Sequence, residues 1–357
     1  MGDELDILIG KSDDSDFNIS AQELVTGRTC VIAQSGAGKS YLIGLLCEKL
    51  LENNIGFCII DTEGEYYCLK EKFSIFWVGG KDADAELDKV DLKSLARKAI
   101  RENIPIIFDV SDSMEEREVV ERFSSALYDA ATKLRSPYLM IVEEADKFIP
   151  QGKDSIKKIE EISRRGRKRG LGLLLATQRP ALVNKNVLSQ CGNQFIGKLT
   201  TENDLQAVNL FFSTRKELEE LPKLQPGEFF AMGNVSKLKT KMKGSKRETK
   251  HKGFTPKLIP KELGKISEIK EDVEKEFELP EEKTKVVKHN KAVKLEVKKE
   301  NIHSIIEKKR KKKYILFGKK ERLEKVNLAY IPLIYLEVRM PDGIITVSYT
   351  HLTLPTN

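Results

Sequence analysis

Residues 33–40 read AQSGAGKS, and the apolar run TCVIA leads into them. The spacing fits the phosphate-cradling pattern G-x-x-x-x-G-K-[ST], with alanine at the first position, where the backbone only closes a tight turn. A loop of this kind needs a strand before it and a helix after it, so it commits the surrounding chain to an α/β arrangement. Gly36 and Gly38 let successive backbone N–H groups converge on phosphate oxygens. The helix starting near Lys39 adds its positive end. Lys39 is expected to reach the β- and γ-phosphates, and Ser40 to offer its hydroxyl to Mg²⁺. The candidate nucleotide-binding residues are therefore Ala33, Gln34, Ser35, Gly36, Ala37, Gly38, Lys39, Ser40 and Tyr41, with ATP and Mg²⁺ as the cofactors.

The rest of residues 1–235 follows the same alternation. Apolar runs at 29–33, 56–61, 74–78, 105–110, 138–143, 172–177, 194–199 and 228–232 are expected strands. Most are continuous rather than alternating, as strands buried on both faces of a mainly parallel sheet require. Amphipathic stretches at 39–52, 92–102, 114–134, 155–169 and 203–210 are expected helices between them. The pattern predicts an α/β domain with a mainly parallel central sheet and helices on both faces.

Three further stretches carry chemistry. In YLMIVEEAD, 138–146, an apolar strand ends in two carboxylates. Beside the phosphate loop, Glu143 is the candidate metal ligand with Ser40, and Glu144 the candidate base that orients and deprotonates the attacking water. In GLGLLLATQRP, 170–180, a strand ends in Thr177-Gln178-Arg179-Pro180, and the Gln178 amide can touch both the γ-phosphate and that water. Just before it, SRRGRKRG holds five cations in six positions. Arg167, then Arg165, could reach a neighbouring subunit's γ-phosphate. The same cluster could instead balance a helix dipole or face a DNA backbone. In IIDTEGEYYCLK, Asp61 ends a strand and could sit near the nucleotide, with Gly64-Glu65-Tyr66 a turn beyond it, or the stretch is an ordinary strand-ending turn.

Beyond residue 235 the composition changes. Residues 1–235 carry 31 Lys+Arg against 38 Asp+Glu, whereas residues 236–357 carry 31 against 17. An acidic body with a basic tail suits contact with a polyanion, and suits equally a solvated lysine-rich extension. Residues 236–313 are expected to be a basic linker with a helix over 261–278, and residues 314–346 the start of a second small domain. The last eleven residues, VSYTHLTLPTN, resemble an in-frame translation of a sequencing adapter, so residues 347–357 are set apart from the fold and the natural chain is expected to continue differently. Five scattered cysteines and no Cys-x-x-Cys pair argue for reduced thiols and against a structural zinc. No signal peptide or membrane span is recognisable, and the expected compartment is the cytoplasm.

Taken in order, AQSGAGKS, DTEGEY, IVEEAD, GRKRGLGLLLATQRP and VLSQCGNQFIGKL resemble the ATPase domain of the HerA–FtsK superfamily, nearest to archaeal-type HerA-like proteins, across roughly residues 5–233. The resemblance implies a RecA-like P-loop fold, a homo-hexameric ring, ATP-driven translocation on double-stranded DNA and a nuclease partner. HerA carries an N-terminal β-barrel, for which the 38 residues before Lys39 are too few, and its first strand-end acid is more often Asp than Glu. Two functions are carried forward: a ring-forming DNA translocase or helicase, and a nucleotide-gated binding module with little turnover. A small-molecule kinase is disfavoured, because no lid or substrate-pocket signature follows the phosphate loop.

Overall fold

A computed structural model describes residues 5–250, other than 14, 153 and 237, together with the backbone of two strands near the C-terminus. Its first compact unit spans Met1–Pro260. The elements of that unit begin with β1 (Asp6–Ser12), β2 (Ser15–Ser20), α1 (Ala21–Thr26), β3 (Arg28–Ile32), α2 (Lys39–Glu52) and β4 (Phe57–Asp61). There follow β5 (Phe76–Val78), α3 (Leu92–Glu102), β6 (Ile106–Asp109), α4 (Glu116–Leu134), β7 (Tyr138–Val142), α5 (Ala145–Phe148) and α6 (Lys157–Arg165). The unit closes with β8 (Leu171–Thr177), α7 (Lys185–Leu188), β9 (Asn193–Ile196), α8 (Glu202–Val208), α9 (Arg215–Leu218), β10 (Glu228–Gly233) and β11 (Thr240–Gly244).

One eleven-stranded sheet organises the unit, in the order β2-β1-β11-β10-β9-β3-β8-β7-β4-β6-β5. From β9 to β5 every pairing is parallel, and from β9 to β2 every pairing is antiparallel. The continuous apolar runs have a direct cause. Phe57 and Ile59 of β4 join a core layer with Leu42, Leu45 and Leu46 of α2. Cys58 and Ile60 join the opposite layer with residues of α3, α4 and α6. A strand covered on both sides has no position left for a polar residue, so period-two alternation disappears. This is the expected RecA-like P-loop class, a mainly parallel sheet with helices on both faces.

The parallel register aligns the carboxyl ends of the central strands. Ile32 of β3 pairs with Thr177 of β8, Val142 of β7 with Ile60 of β4, and Asp61 with Asp109 of β6. Ligands of open α/β sheets bind at this edge, just beyond the strand ends. Because β8 lies between β3 and β7, whatever follows Thr177 falls between the phosphate loop and the paired acids.

Several elements differ from the sequence expectation. β1, β2 and α1 occupy the acidic N-terminal stretch, and β11 lies within the basic stretch expected as an exposed strand or linker. β1 pairs with β2 and β11 with β10 in local hairpins, but the seam that joins the two, Gly10 with Gly244 and Lys11 with Lys243, spans more than 200 residues. The helix expected over 155–169 ends as an α-helix at Arg165, tightens into a 3-10 turn over Arg167–Arg169, and is closed by Gly170 at φ +79. In the second unit, Lys261–Asn357, β12 (Ile334–Met340) and β13 (Gly343–Tyr349) form an antiparallel hairpin. β13 takes in residues 347–349 of the adapter-like tail. The helix expected over 261–278 and the lysine-rich stretch to residue 313 lie outside the described residues.

Candidate active site

The loop between β3 and α2 is held by backbone bonds at both ends. Ala33 N–H donates to the Thr177 carbonyl at 3.3 Å, Gln34 N–H to the Lys198 carbonyl at 2.9 Å, and Gly227 N–H to the Ala37 carbonyl at 2.9 Å. Gly38 caps α2 at φ +96, in the left-handed region, and a Cβ there would stand 3.1 Å from the Gly227 nitrogen. Two requirements thus fall on one glycine: a positive φ and close passage of a second backbone.

Lys39 opens α2 and is buried, 5% exposed. Its ammonium lies 2.5 Å from Glu143 Oε2 and 3.1 Å from Glu144 Oε1. Burial works against the charged amine, but the two carboxylates outweigh it and hold Lys39 above its ordinary pKa. Glu143 also accepts a short hydrogen bond from the Tyr66 hydroxyl. Burial, then the Glu143 charge, push the Tyr66 phenol well up, so it stays a donor. Gln178 Nε2 donates to Glu144 Oε1 at 2.7 Å. Glu144 adopts φ +42, a strained conformation for a residue with a side chain. Next to it, Asp146 accepts from the Thr177 hydroxyl at 2.7 Å, tying the tip of β8 to α5.

Two adjoining cavities surround this cluster. The smaller, about 340 Å³, is lined by Ser40, Asp61, Glu65, Glu143, Glu144 and Gln178 among others. The larger, about 630 Å³, runs from the phosphate loop past Tyr41 to Gly227, Phe229 and residues 243–246. Ser40, Glu65 and Gln178 line both, and the Ser40 hydroxyl lies beside the Glu65 carboxylate. Asp61 is almost fully buried and accepts from the backbone N–H groups of Glu63 and Tyr66. Burial, reinforced by Asp109, pushes its pKa up to about 7.

The fold therefore brings together residues 33–41, Asp61, Glu143, Glu144 and Gln178. Arg165 and Arg167 lie elsewhere: Arg167 pairs with Glu23 of α1 at 2.7 Å, and Arg165 approaches Glu161 at 3.6 Å. Neither lines the two cavities. Sequence reasoning noticed the turn at 64–66 but missed that it delivers Glu65 to Ser40 and Tyr66 to Glu143. It also missed residues 226–227 and 243–246 as cavity wall. Glu48 was an available signal, since an acid on a buried helix demands a partner.

The described cysteines are buried and form no disulfide, and no described helix is long and apolar enough to cross a membrane.

Comparison with known proteins places this geometry. The family description "Helicase HerA, central domain" matches residues 7–210. The DNA double-strand break repair helicase HerA of Sulfolobus acidocaldarius is 36% identical over 132 residues, 35% of this chain and 26% of that protein. The HerA of Pyrococcus furiosus is 31% identical over 165 residues, 45% of this chain and 28% of that protein. The chain thus matches about a quarter of the length of these curated relatives. Among solved structures, VirB4 of Thermoanaerobacter pseudethanolicus superposes with a TM-score of 0.51 at 16% identity, covering 70% of this chain and 98% of that one, a likeness of fold. With the family description matched over more than half of its length, and with that family's phosphate loop and strand-end acids gathered at one sheet edge, the chain belongs to the HerA helicase central-domain family of P-loop ATPases.

Proposed function

We propose that this chain hydrolyses ATP with Mg²⁺ and uses the cycle to translocate on double-stranded DNA as a subunit of a homo-hexameric ring. The observation that carries the reading is the convergence of Lys39 and Gln178 on Glu144 Oε1, at 3.1 and 2.7 Å, at the edge of the sheet. A triphosphate entering the loop would take Lys39 as its own counter-charge. Glu144 would then be free to orient and deprotonate water, while Gln178 bridges that water and the γ-phosphate.

Ser40 and Glu143 line the same small cavity, and hydroxyl and carboxylate oxygens are the donors a hard cation takes. Ser40 and Glu143 would hold Mg²⁺, which when bound neutralises charge on the phosphates. Arg167, or failing it Arg165, would act on a neighbouring subunit's nucleotide. Both side chains are exposed, and both lie outside their own chain's cavities. The curated relatives are named as DNA double-strand break repair helicases, which supports DNA as the polymer; a cytoplasmic location and a nuclease partner complete the proposal.

The test is steady-state ATPase activity with and without blunt duplex DNA across a salt series. Backbone-directed binding predicts stimulation that fades steeply as salt rises. Basal hydrolysis with no stimulation at any salt would remove the translocase and leave a nucleotide-gated module.

A further inference from the structure

Residues 243–249 do two things at once. Their first half, Lys243, Gly244, Ser245 and Lys246, walls the larger cavity opposite the phosphate loop. Their second half is locked onto α2, the helix that the phosphate loop opens. Arg247 is 6% exposed, and its Nε donates to Glu48 Oε1 at 2.9 Å. Its Nη2 donates to the Thr249 hydroxyl at 2.9 Å, and its backbone N–H to the Tyr41 hydroxyl at 2.8 Å. Glu48, fully buried, also accepts from the backbone N–H groups of Glu248 and Thr249.

The receiving surface on α2 is the stripe Tyr41, Gly44, Glu48, at helical spacing. A Cβ on Gly44 would come within 2.3 Å of the Arg247 guanidinium, so the stripe has a gap shaped for that side chain. The other end of the segment reaches the loop through backbone alone. Gly244 N–H donates to the Gly227 carbonyl at 3.2 Å, and Gly227 N–H to the Ala37 carbonyl at 2.9 Å.

The smaller cavity holds the acids and Gln178, where the γ-phosphate end would lie. A nucleoside triphosphate threaded along the loop must then project its sugar and base into the larger cavity, against residues 243–246. We infer that residues 243–246 form the base-and-ribose wall of the nucleotide site and that Arg247 is the positioning residue that fixes this wall to α2. The inference rests on the nucleotide-binding reading above. It places recognition of the nucleoside half in a segment beyond the family-matched residues 7–210. It also makes nucleotide binding and docking of the segment reciprocal, since whatever loosens one must loosen the other.

The experiment compares two probes on the full chain by calorimetry: ATPγS, which carries base and ribose, and inorganic tripolyphosphate, which carries neither. Arg247→Met alone would strand a buried carboxylate, so the variant is Glu48→Gln/Arg247→Met, with Lys246→Ala, an exposed wall residue, as the second. Expected is a loss of about tenfold in ATPγS affinity with tripolyphosphate binding held within about twofold, the size of one or two lost hydrogen bonds. If the double variant fails to fold, Lys246→Ala decides by the same criterion, with a loss of roughly threefold or more required. Equal losses for both probes would make the segment a mere brace for the loop, and no loss for either would remove it from the site. Lys39→Ala separates the premises, because it must weaken both probes. If it weakens neither, the nucleotide-binding reading fails and the wall falls with it.

Discussion

The Gln178 amide donates to the Glu144 carboxylate at 2.7 Å, and the bond joins residues that follow two neighbouring parallel strands, β8 and β7. An amide there sits between the phosphate loop and the acid that would activate water. On the proposed mechanism its orientation would respond to a γ-phosphate. Gln178→Ala should lower kcat about a hundredfold while changing ATP affinity less than about threefold, because its contribution comes in the transition state. Glu144→Gln should cut kcat by about a hundredfold or more and trap bound ATP, the loss expected of a general base. Single-turnover hydrolysis with filter-trapped nucleotide measures both, and a Glu144→Gln enzyme that still turns over at the parent rate would take the base away from Glu144.

Glu143 is positioned by Tyr66 from one side and Lys39 from the other. Removing the phenol leaves a buried carboxylate oxygen short of one donor, at a cost of about 1–3 kcal/mol in stability. If Glu143 holds Mg²⁺, Tyr66→Phe removes the group that aims it, and half-saturating Mg²⁺ for ATP hydrolysis should rise about tenfold. A Mg²⁺ titration of the variant gives the answer. An unchanged midpoint with a lowered melting temperature would leave Tyr66 a structural role only.

Asp61 gives the apo protein a pH signature. Burial raises its folded pKa to about 7, against about 4 in an unfolded chain. Between those values the folded protein holds a proton that the unfolded chain has released. Stability contributed by this group therefore falls as pH rises through that window, and above pH 7 the penalty is fully present. Asp61→Asn removes the titration but keeps an acceptor for only one of the two backbone N–H groups, a cost that does not vary with pH. The melting temperature of the parent minus that of the variant should therefore become less positive from pH 5 to pH 8. A difference that is flat with pH would mean Asp61 is ionised throughout.

What could be read in advance, and what could not, divides along the range of the interactions. The phosphate loop, the acid pair and the ATQRP strand end were legible because each is a local run whose chemistry lies within a few residues. Their convergence was legible too, because parallel strands align their carboxyl ends. β1 was not, and β11 was only one of two readings of the basic stretch, because the β1–β2 hairpin joins the sheet only through β11, more than 200 residues away. Arg247 was hidden for the same reason: nothing near residue 247 mentions Glu48, and the basic run around it reads as solvated. The turn at 64–66 lay between these cases. Its glycine showed that the chain reverses there, but not that the reversal carries Tyr66 back to a strand tip 77 residues later.

Arg167 offers the sharpest test of assembly. Its guanidinium is 47% exposed and bonded to Glu23, a surface pair worth at most about 1 kcal/mol. Arg167→Ala should therefore leave the melting temperature nearly unchanged. If this arginine completes a neighbour's site, the same variant should lose hydrolysis by about 10³, the usual scale for a guanidinium acting across a subunit boundary. Complementation then decides between cis and trans. Lys39→Ala cannot hold the triphosphate but keeps Arg167, whereas Arg167→Ala keeps an intact cradle. Mixed before assembly, the two inactive proteins should regain a measurable fraction of parent ATPase activity, because some interfaces pair a good cradle with a good arginine. Arg165→Ala, run in parallel, tests the second cation of the cluster. If Arg167→Ala is inactive and no mixing ratio restores turnover, the residue acts within its own chain and the trans assignment is lost. If it remains fully active while Arg165→Ala is not, the finger is Arg165, two residues earlier on the same cationic edge.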